Sequence, residues 1–236
     1  MNGAWWRGST ALAVTMLALL ACRPKEVTVE YEPGDPHVFS REERRAIEEV
    51  AERTLPDVRR LLPQLPPSIL LRVSTSKAVI PETGENGSSS QPNVVHWQVD
   101  AGRSEGVAAI ARTQLRATLF HELHHVVRAA VFVDRRLRDH VIREGLATAF
   151  ERDFGGASPP WGQYPAEVSL WTKEILALPD DTPRAPWLFE HPDGRRWIGL
   201  RVGTYLVDRA TKASGKTSAD LARIPTDELV TMGLAR

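Results

Sequence analysis

Apolar positions along the chain change rhythm several times, and the changes mark the elements. Ser40-Arg-Glu-Glu43 has capping-box spacing, and apolar residues then recur at Ile47, Val50, Ala51, Leu55, Val58, Leu61 and Leu62. This is the one-sided stripe of an amphipathic helix, and Pro56 is expected to kink or split it. Residues 68–76, rich in leucine and β-branched types, predict a strand, and residues 94–100 alternate like a second one. The Gly- and Ser-rich segment 81–93 between them predicts an exposed loop. Helical spacing returns at Val107, Ile110, Ala111, Leu115, Leu119, Leu123, Val126, Val127 and Ala130, which predicts a long helix over about 104–131. Asp139 stands where an N-cap would open the next helix, and Gly155-Gly156 where it would end. Beyond it the pattern is helical and loop-broken, with helices over 164–178 and 195–213 and short pieces after Ser218 and Thr226. Few strands and many helices place the chain in the α+β class, mostly helical, with a small sheet ahead of the long helix.

Length and composition narrow the picture. The 236 residues suffice for one well-cored domain, expected over residues 39–236. Lys plus Arg and Asp plus Glu are both 30, so the net charge is zero and gives no electrostatic reason for a nucleic-acid partner. The arginine clusters at 41–45 and 135–138 alternate with acidic or apolar residues, as solvated faces do. Of the seven tryptophans, Trp5 and Trp6 fall in the amino-terminal segment and the other five are scattered, with packing as their default role.

The amino terminus carries a separate signal. Arg7 precedes an apolar run over residues 11–21, and eleven residues make only about 16 Å of helix, too short for a hydrocarbon core of about 30 Å. The run reads as the hydrophobic region of a secretory signal over residues 1–21. It ends in Leu19-Leu20-Ala21-Cys22, which resembles the lipobox of bacterial lipoproteins, and Cys22 is the only cysteine. That resemblance implies lipidation at Cys22, a membrane anchor of several acyl chains, and a short tether within 22–38. Arg23 rather than Asp after the cysteine favours the outer membrane, facing the periplasm. A single cysteine excludes an internal disulfide, so stability rests on the core and any metal.

The chemistry lies in His121-Glu-Leu-His-His125, an H-E-x-x-H motif inside the long helix. At about 100° per residue, His121 and His125 sit about 40° apart and one turn along, so both imidazoles reach one cation. Glu122 points to the adjoining side, where it can take a proton from metal-bound water. Glu144 follows after 18 residues on the next helix, within Arg143-Glu-Gly-Leu-Ala147, and Gly145 would let the two ligand helices approach closely. Two histidines and a carboxylate leave an open position, the catalytic zinc arrangement. Glu151, on almost the same face as Glu144, is its rival or a supporting residue, and His124 points away from the pair. His140 sits at the start of the second helix, and His96 and Trp97 read as packing or surface positions.

HELHH paired with REGLATAF resembles the gluzincin clan of metallopeptidases, in which a glutamate ligand follows the motif. With the glycine-containing WIGLRVGTYLV near the carboxyl end, residues 105–235 are similar to the predicted zinc-dependent proteases with the DUF2268 domain. The resemblance implies a zincin-like fold, zinc bound by His121, His125 and Glu144, and Glu122 as general base. It also implies an edge strand for an extended peptide, with residues 94–100 as the candidate. Leu200 stands where a tyrosine is expected after Gly199, which leaves Tyr205, Arg201, His191 and Tyr164 as candidates to steady the oxyanion. The function expected is a zinc metallopeptidase of the cell envelope acting on peptides or proteins. The alternatives are a non-catalytic metal-binding lipoprotein and a zinc hydrolase of another amide or ester. Nothing in the sequence fixes an oligomeric state.

Overall fold

A computed structural model describes residues 26–235, a small sheet followed by a run of helices. The signal segment, Cys22 and its lipidation lie outside the described residues. Strands β1 (Val27–Tyr31), β2 (Ile69–Thr75), β3 (Glu85–Gln91) and β4 (Val94–Val99) form one sheet in the order β1-β2-β4-β3. The first three in that order run parallel, and β3 returns antiparallel on β4. Ile69, Leu71 and Val73 alternate inward on β2, as do Val95, Trp97 and Val99 on β4, while Arg72, His96 and Gln98 face partly to solvent. One face is therefore packed and the other wet, as two-period alternation demands.

Helix α1 (Arg41–Leu61) opens with the capping box Ser40–Glu43 and buries Ile47, Val50, Leu55 and Val58. It continues through Pro56 as one helix and is not split there. Burying each of those side chains is worth about 1.5–3 kcal/mol, which outweighs a proline cost of about 3. Helix α2 (Val107–Ile110), a π-helical turn (Ala111–Leu115) and α3 (Arg116–Ala129) follow one another directly as the expected long helix. Helix α4 (Leu137–Phe150) passes into a second π-helical turn (Glu151–Gly155) and stops at Gly156, whose φ of 80° is the left-handed cap glycine allows. Helices α5 (Val168–Leu176), α6 (Ala185–Leu188), α7 (Ile198–Ser214), α8 (Ser218–Leu221) and α9 (Thr226–Leu234) complete the described chain. Among the described residues no helix is long and apolar enough to cross a membrane.

Two apolar cores result. Sheet, α1 and α3 share one; α4, α5, α7 and α9 share the other. Helix α4 joins them, with Phe150 in the first and Val141, Ile142 and Leu146 in the second. Helices α4 and α7 cross with their backbones in close approach: a Cβ on Gly145 would lie 2.1 Å from the carbonyl carbon of Gly203, and one on Gly203 would lie 2.0 Å from the carbonyl oxygen of Val141. Gly145 thus serves the α4–α7 crossing rather than the approach of the two ligand helices. Of the two glycines in the 197–207 segment, Gly203 is a backbone-packing position for the same reason, while Gly199 faces the Leu188 side chain, with Cδ2 2.6 Å from an added Cβ.

Four expectations are corrected. Residues 85–91 form β3 and not a loop; strand pairing supplies what its polar Glu-Asn-Gly-Ser sequence lacks in hydrophobic pattern. Because β3 covers the outer side of β4, residues 94–99 are an internal strand, and β3 is the edge. Residues 27–31, expected in a tether, are β1, with Val27 buried in the core. Asp139 is the third helical residue rather than the N-cap: its Oδ2 accepts from the Arg136 backbone N–H at 2.9 Å, and Arg136 holds the cap position.

Candidate metal centre

The seam between the two cores is where the chemistry gathers. Helical spacing on α3 turns His121 and His125 the same way, their rings edge-to-face with centroids 4.6 Å apart. Helix α4 brings Glu144 to them from the other side, and its Oε2 lies 3.3 Å from Nε2 of His121 and 3.3 Å from Nε2 of His125. The other carboxylate oxygen, Oε1, accepts from Nη2 of Arg143 at 2.7 Å, and Asp134 holds Arg143 from behind at 3.3 Å. One Glu144 oxygen is thus occupied by a cation of the chain, and the other is left for the histidine pair.

Three more groups complete the surround. Glu151 Oε2 accepts from Nδ1 of His121 at 3.0 Å, fixing that ring's orientation from the π-helical turn after α4. Ser89 of β3 donates to Glu122 Oε2 at 2.8 Å, and Gly87 on the same strand lets β3 lie against the helix. A Cβ there would meet Thr118 Cγ2 at 2.5 Å and Glu122 Cγ at 2.7 Å. Glu85, almost fully buried, accepts from Thr118 Oγ1 and Trp97 Nε1, each at 2.8 Å, and burial pushes its pKa up despite those bonds.

Charge balance asks for a cation. Burial disfavours a charged His121, yet the hydrogen bonds from Glu144 and Glu151 outweigh it and hold its pKa well above the ordinary value. Burial likewise opposes ionised Glu144, and His125, His121 and Arg143 outweigh it and hold its pKa well below. A divalent ion among the same donors satisfies these carboxylates while leaving both imidazoles neutral. In tetrahedral coordination with bonds of about 2.0–2.1 Å, neighbouring ligand atoms lie about 3.3–3.4 Å apart. The two distances from Glu144 match that edge. Donor atoms of His121, Glu122 and His125 also lie within 4.8 Å of one another, so Glu122 is a second carboxylate near the ion. A single Glu144 oxygen is equidistant from both rings, while Ser89 engages Glu122 on the sheet side.

The centre opens on a cavity of about 800 Å³, its walls including Trp161, Trp197, Leu188 and Leu200. Of the four oxyanion candidates none lines it. Tyr164 donates to Asp208 at 3.2 Å and meets Tyr205 edge-to-face, His191 pairs with Asp193 at 3.0 Å, and Arg201 lies near Arg196. The cations that do line it are Arg143 and Arg184. His124 is buried away from the centre with Nε2 3.3 Å from the Ser218 carbonyl, and burial pushes its pKa down to about 3. Sequence reasoning missed Glu85, Ser89, Arg143 and Arg184. Only Arg143 carried a signal, as the neighbour of Glu144.

The fold is mostly helical α+β, and its His, Glu and His cluster is able to hold a metal ion. The chain belongs to the family described as predicted Zn-dependent proteases (DUF2268), which matches residues 41–231. Family membership makes zinc the cofactor and peptides or proteins the substrate class. No curated protein matches the sequence.

Proposed function

We propose that the protein is a zinc metallopeptidase whose metal is held by His121, His125 and Glu144, with Glu122 as general base. The observation that carries the assignment is one Glu144 oxygen 3.3 Å from both imidazole Nε2 atoms. Zinc there supplies Lewis acidity and lowers the pKa of a water from about 15.7 toward about 7. Glu122 takes the proton of the attacking water on its carboxylate, oriented by the Ser89 hydroxyl at Oε2, and later returns it to the leaving amine. Glu151 holds His121 through Nδ1, which would leave Nε2 for the metal, and Arg143 occupies Oε1 of Glu144, which would leave Oε2 for it. Edge strand β3 offers unpaired backbone groups beside the centre, where an extended peptide can add as a further strand. Trp161, Trp197 and Leu200 wall the cavity with apolar surface and limit water there.

The Cys22 lipobox and the preceding apolar run support a lipid-anchored form in the bacterial envelope, outer membrane, facing the periplasm. A non-catalytic metal lipoprotein is the weaker reading, because a structural site has no use for Glu122 beside an open position. The test pairs two variants. Glu122→Gln is expected to keep about one zinc per chain by elemental analysis and to lose hydrolysis of an unbiased peptide library. Glu144→Ala is expected to lose the metal. Full zinc retention by Glu144→Ala refutes the ligand set, and hydrolysis by Glu122→Gln refutes the base. Small esters and other amides run alongside decide against a hydrolase of another class.

A further inference from the structure

We propose that Arg184 forms a carboxylate-binding subsite in the cavity beside the metal centre, which selects peptides carrying a negative charge near the scissile bond. This rests on the peptidase reading above and names its substrate class. Two cations line the cavity, and their surroundings differ. Arg143 is neutralised, with Glu144 at 2.7 Å and Asp134 at 3.3 Å. Arg184 has no carboxylate within ion-pair distance among the described residues; its partner is Nε2 of His140, 3.1 Å from Nη1. Burial first, and then the nearby Arg143 charge, push the His140 pKa below its ordinary value, so the ring is neutral and accepts without cancelling the guanidinium charge.

Position sets the subsite beside the centre. His140 and Glu144 are one turn apart on α4, about 6 Å along the axis, and the His140 bond holds Arg184 to that part of the cavity wall. The neighbouring walls are apolar, with Trp197 and Leu188 buried and Phe189 57% exposed at the rim. Arg184 is itself exposed at the cavity wall and free to meet a ligand, and its planar fork suits two parallel hydrogen bonds to a carboxylate. The carboxylate has two possible sources, an Asp or Glu side chain or the peptide's own carboxyl terminus.

The experiment measures binding rather than turnover. Trp161 and Trp197 line the cavity, so their fluorescence reports occupancy in the Glu122→Gln protein. The probes are blocked six-residue peptides with one glutamate moved through each position, their glutamine counterparts, and the glutamine peptides with a free carboxyl terminus. Binding at least about tenfold tighter for glutamate over glutamine, abolished by Arg184→Gln and partly restored by Arg184→Lys, assigns a side-chain source. The same pattern for free over amidated termini assigns the terminal source. No preference of either kind, a preference that survives Arg184→Gln, or no binding by any carboxylate peptide overturns the proposal. Circular dichroism melts of the variants keep a folding defect apart from a lost subsite. A protein that binds with this preference but hydrolyses none of the peptides when Glu122 is intact leaves the subsite standing and removes the peptidase reading.

Discussion

Gly145→Ala tests the packing that sets the metal centre, and its cost follows from distances. The added methyl would lie 2.1 Å from the carbonyl carbon of Gly203 and 2.4 Å from its oxygen. Ordinary carbon contacts begin at about 3.5 Å, so α4 and α7 must part by more than about 1 Å. Backbone on both sides leaves no flexible side chain to yield, and overpacking of this kind costs about 3 kcal/mol or more. Alanine's better helix propensity returns about 1 kcal/mol, leaving a net loss of about 2–3. For a chain of this size that is a fall in Tm of roughly 5–10 °C. Glu144 is the adjoining residue on α4, so zinc affinity should weaken as well. The control is Gly199→Ala, whose methyl would meet the flexible Leu188 Cδ2 at 2.6 Å and should cost less than about 1 kcal/mol. Urea and thermal unfolding with zinc titration provide the readout, and the double variant Gly145→Ala with Gly203→Ala should lose less than the sum. A Gly145→Ala protein as stable as wild type, or a Gly199→Ala protein equally damaged, refutes the backbone-contact reasoning.

Glu151→Gln should lower zinc affinity by about 10–100-fold while leaving one metal site, measured by competition with a chelator; unchanged affinity means that the His121 Nδ1 bond does not tune the metal. Gly87→Ala should push β3 off Glu122 and cut kcat/KM by about tenfold or more with only a small change in Tm; a proportionate loss of stability would instead mark a general folding defect. Asp139→Asn should cost about 1–3 kcal/mol at neutral pH. Burial opposes the Asp139 carboxylate, but the Arg136 side chain and the backbone N–H groups of Arg136 and Arg135 hold its pKa well below the unfolded value of about 3.9. Its stabilisation is therefore full above about pH 4 and lost as pH falls toward the folded pKa, so wild-type and variant urea midpoints should converge in acid. A gap that stays constant down to about pH 2 would exclude the linkage.

What could be read from the sequence and what could not divide along a physical line. α1, β2, β4, the long helix and α7 each carry their own pattern, because one face of each meets a core and the opposite face meets water or other side chains. His121, Glu122 and His125 were legible because helical spacing fixes their mutual directions within α3; Glu144 was named from its place on the next helix, and the structure sets its Oε2 3.3 Å from both imidazole Nε2 atoms. The exact placement of Ser89, Glu85 and Arg184 depends on contacts between elements, and no local period encodes those. β3 shows the mechanism: its edge position leaves little to bury, so Gly and Ser are tolerated there, and Gly87 is required where the strand meets Thr118 and Glu122. A composition that argues for a loop in isolation is thus what an edge strand needs when it must lie against an active-site helix. The same holds for Gly145 and Gly203, which lower helix propensity locally and allow the backbone contact of α4 with α7. That contact positions α4, and with it the distance from Glu144 to the two histidines on α3.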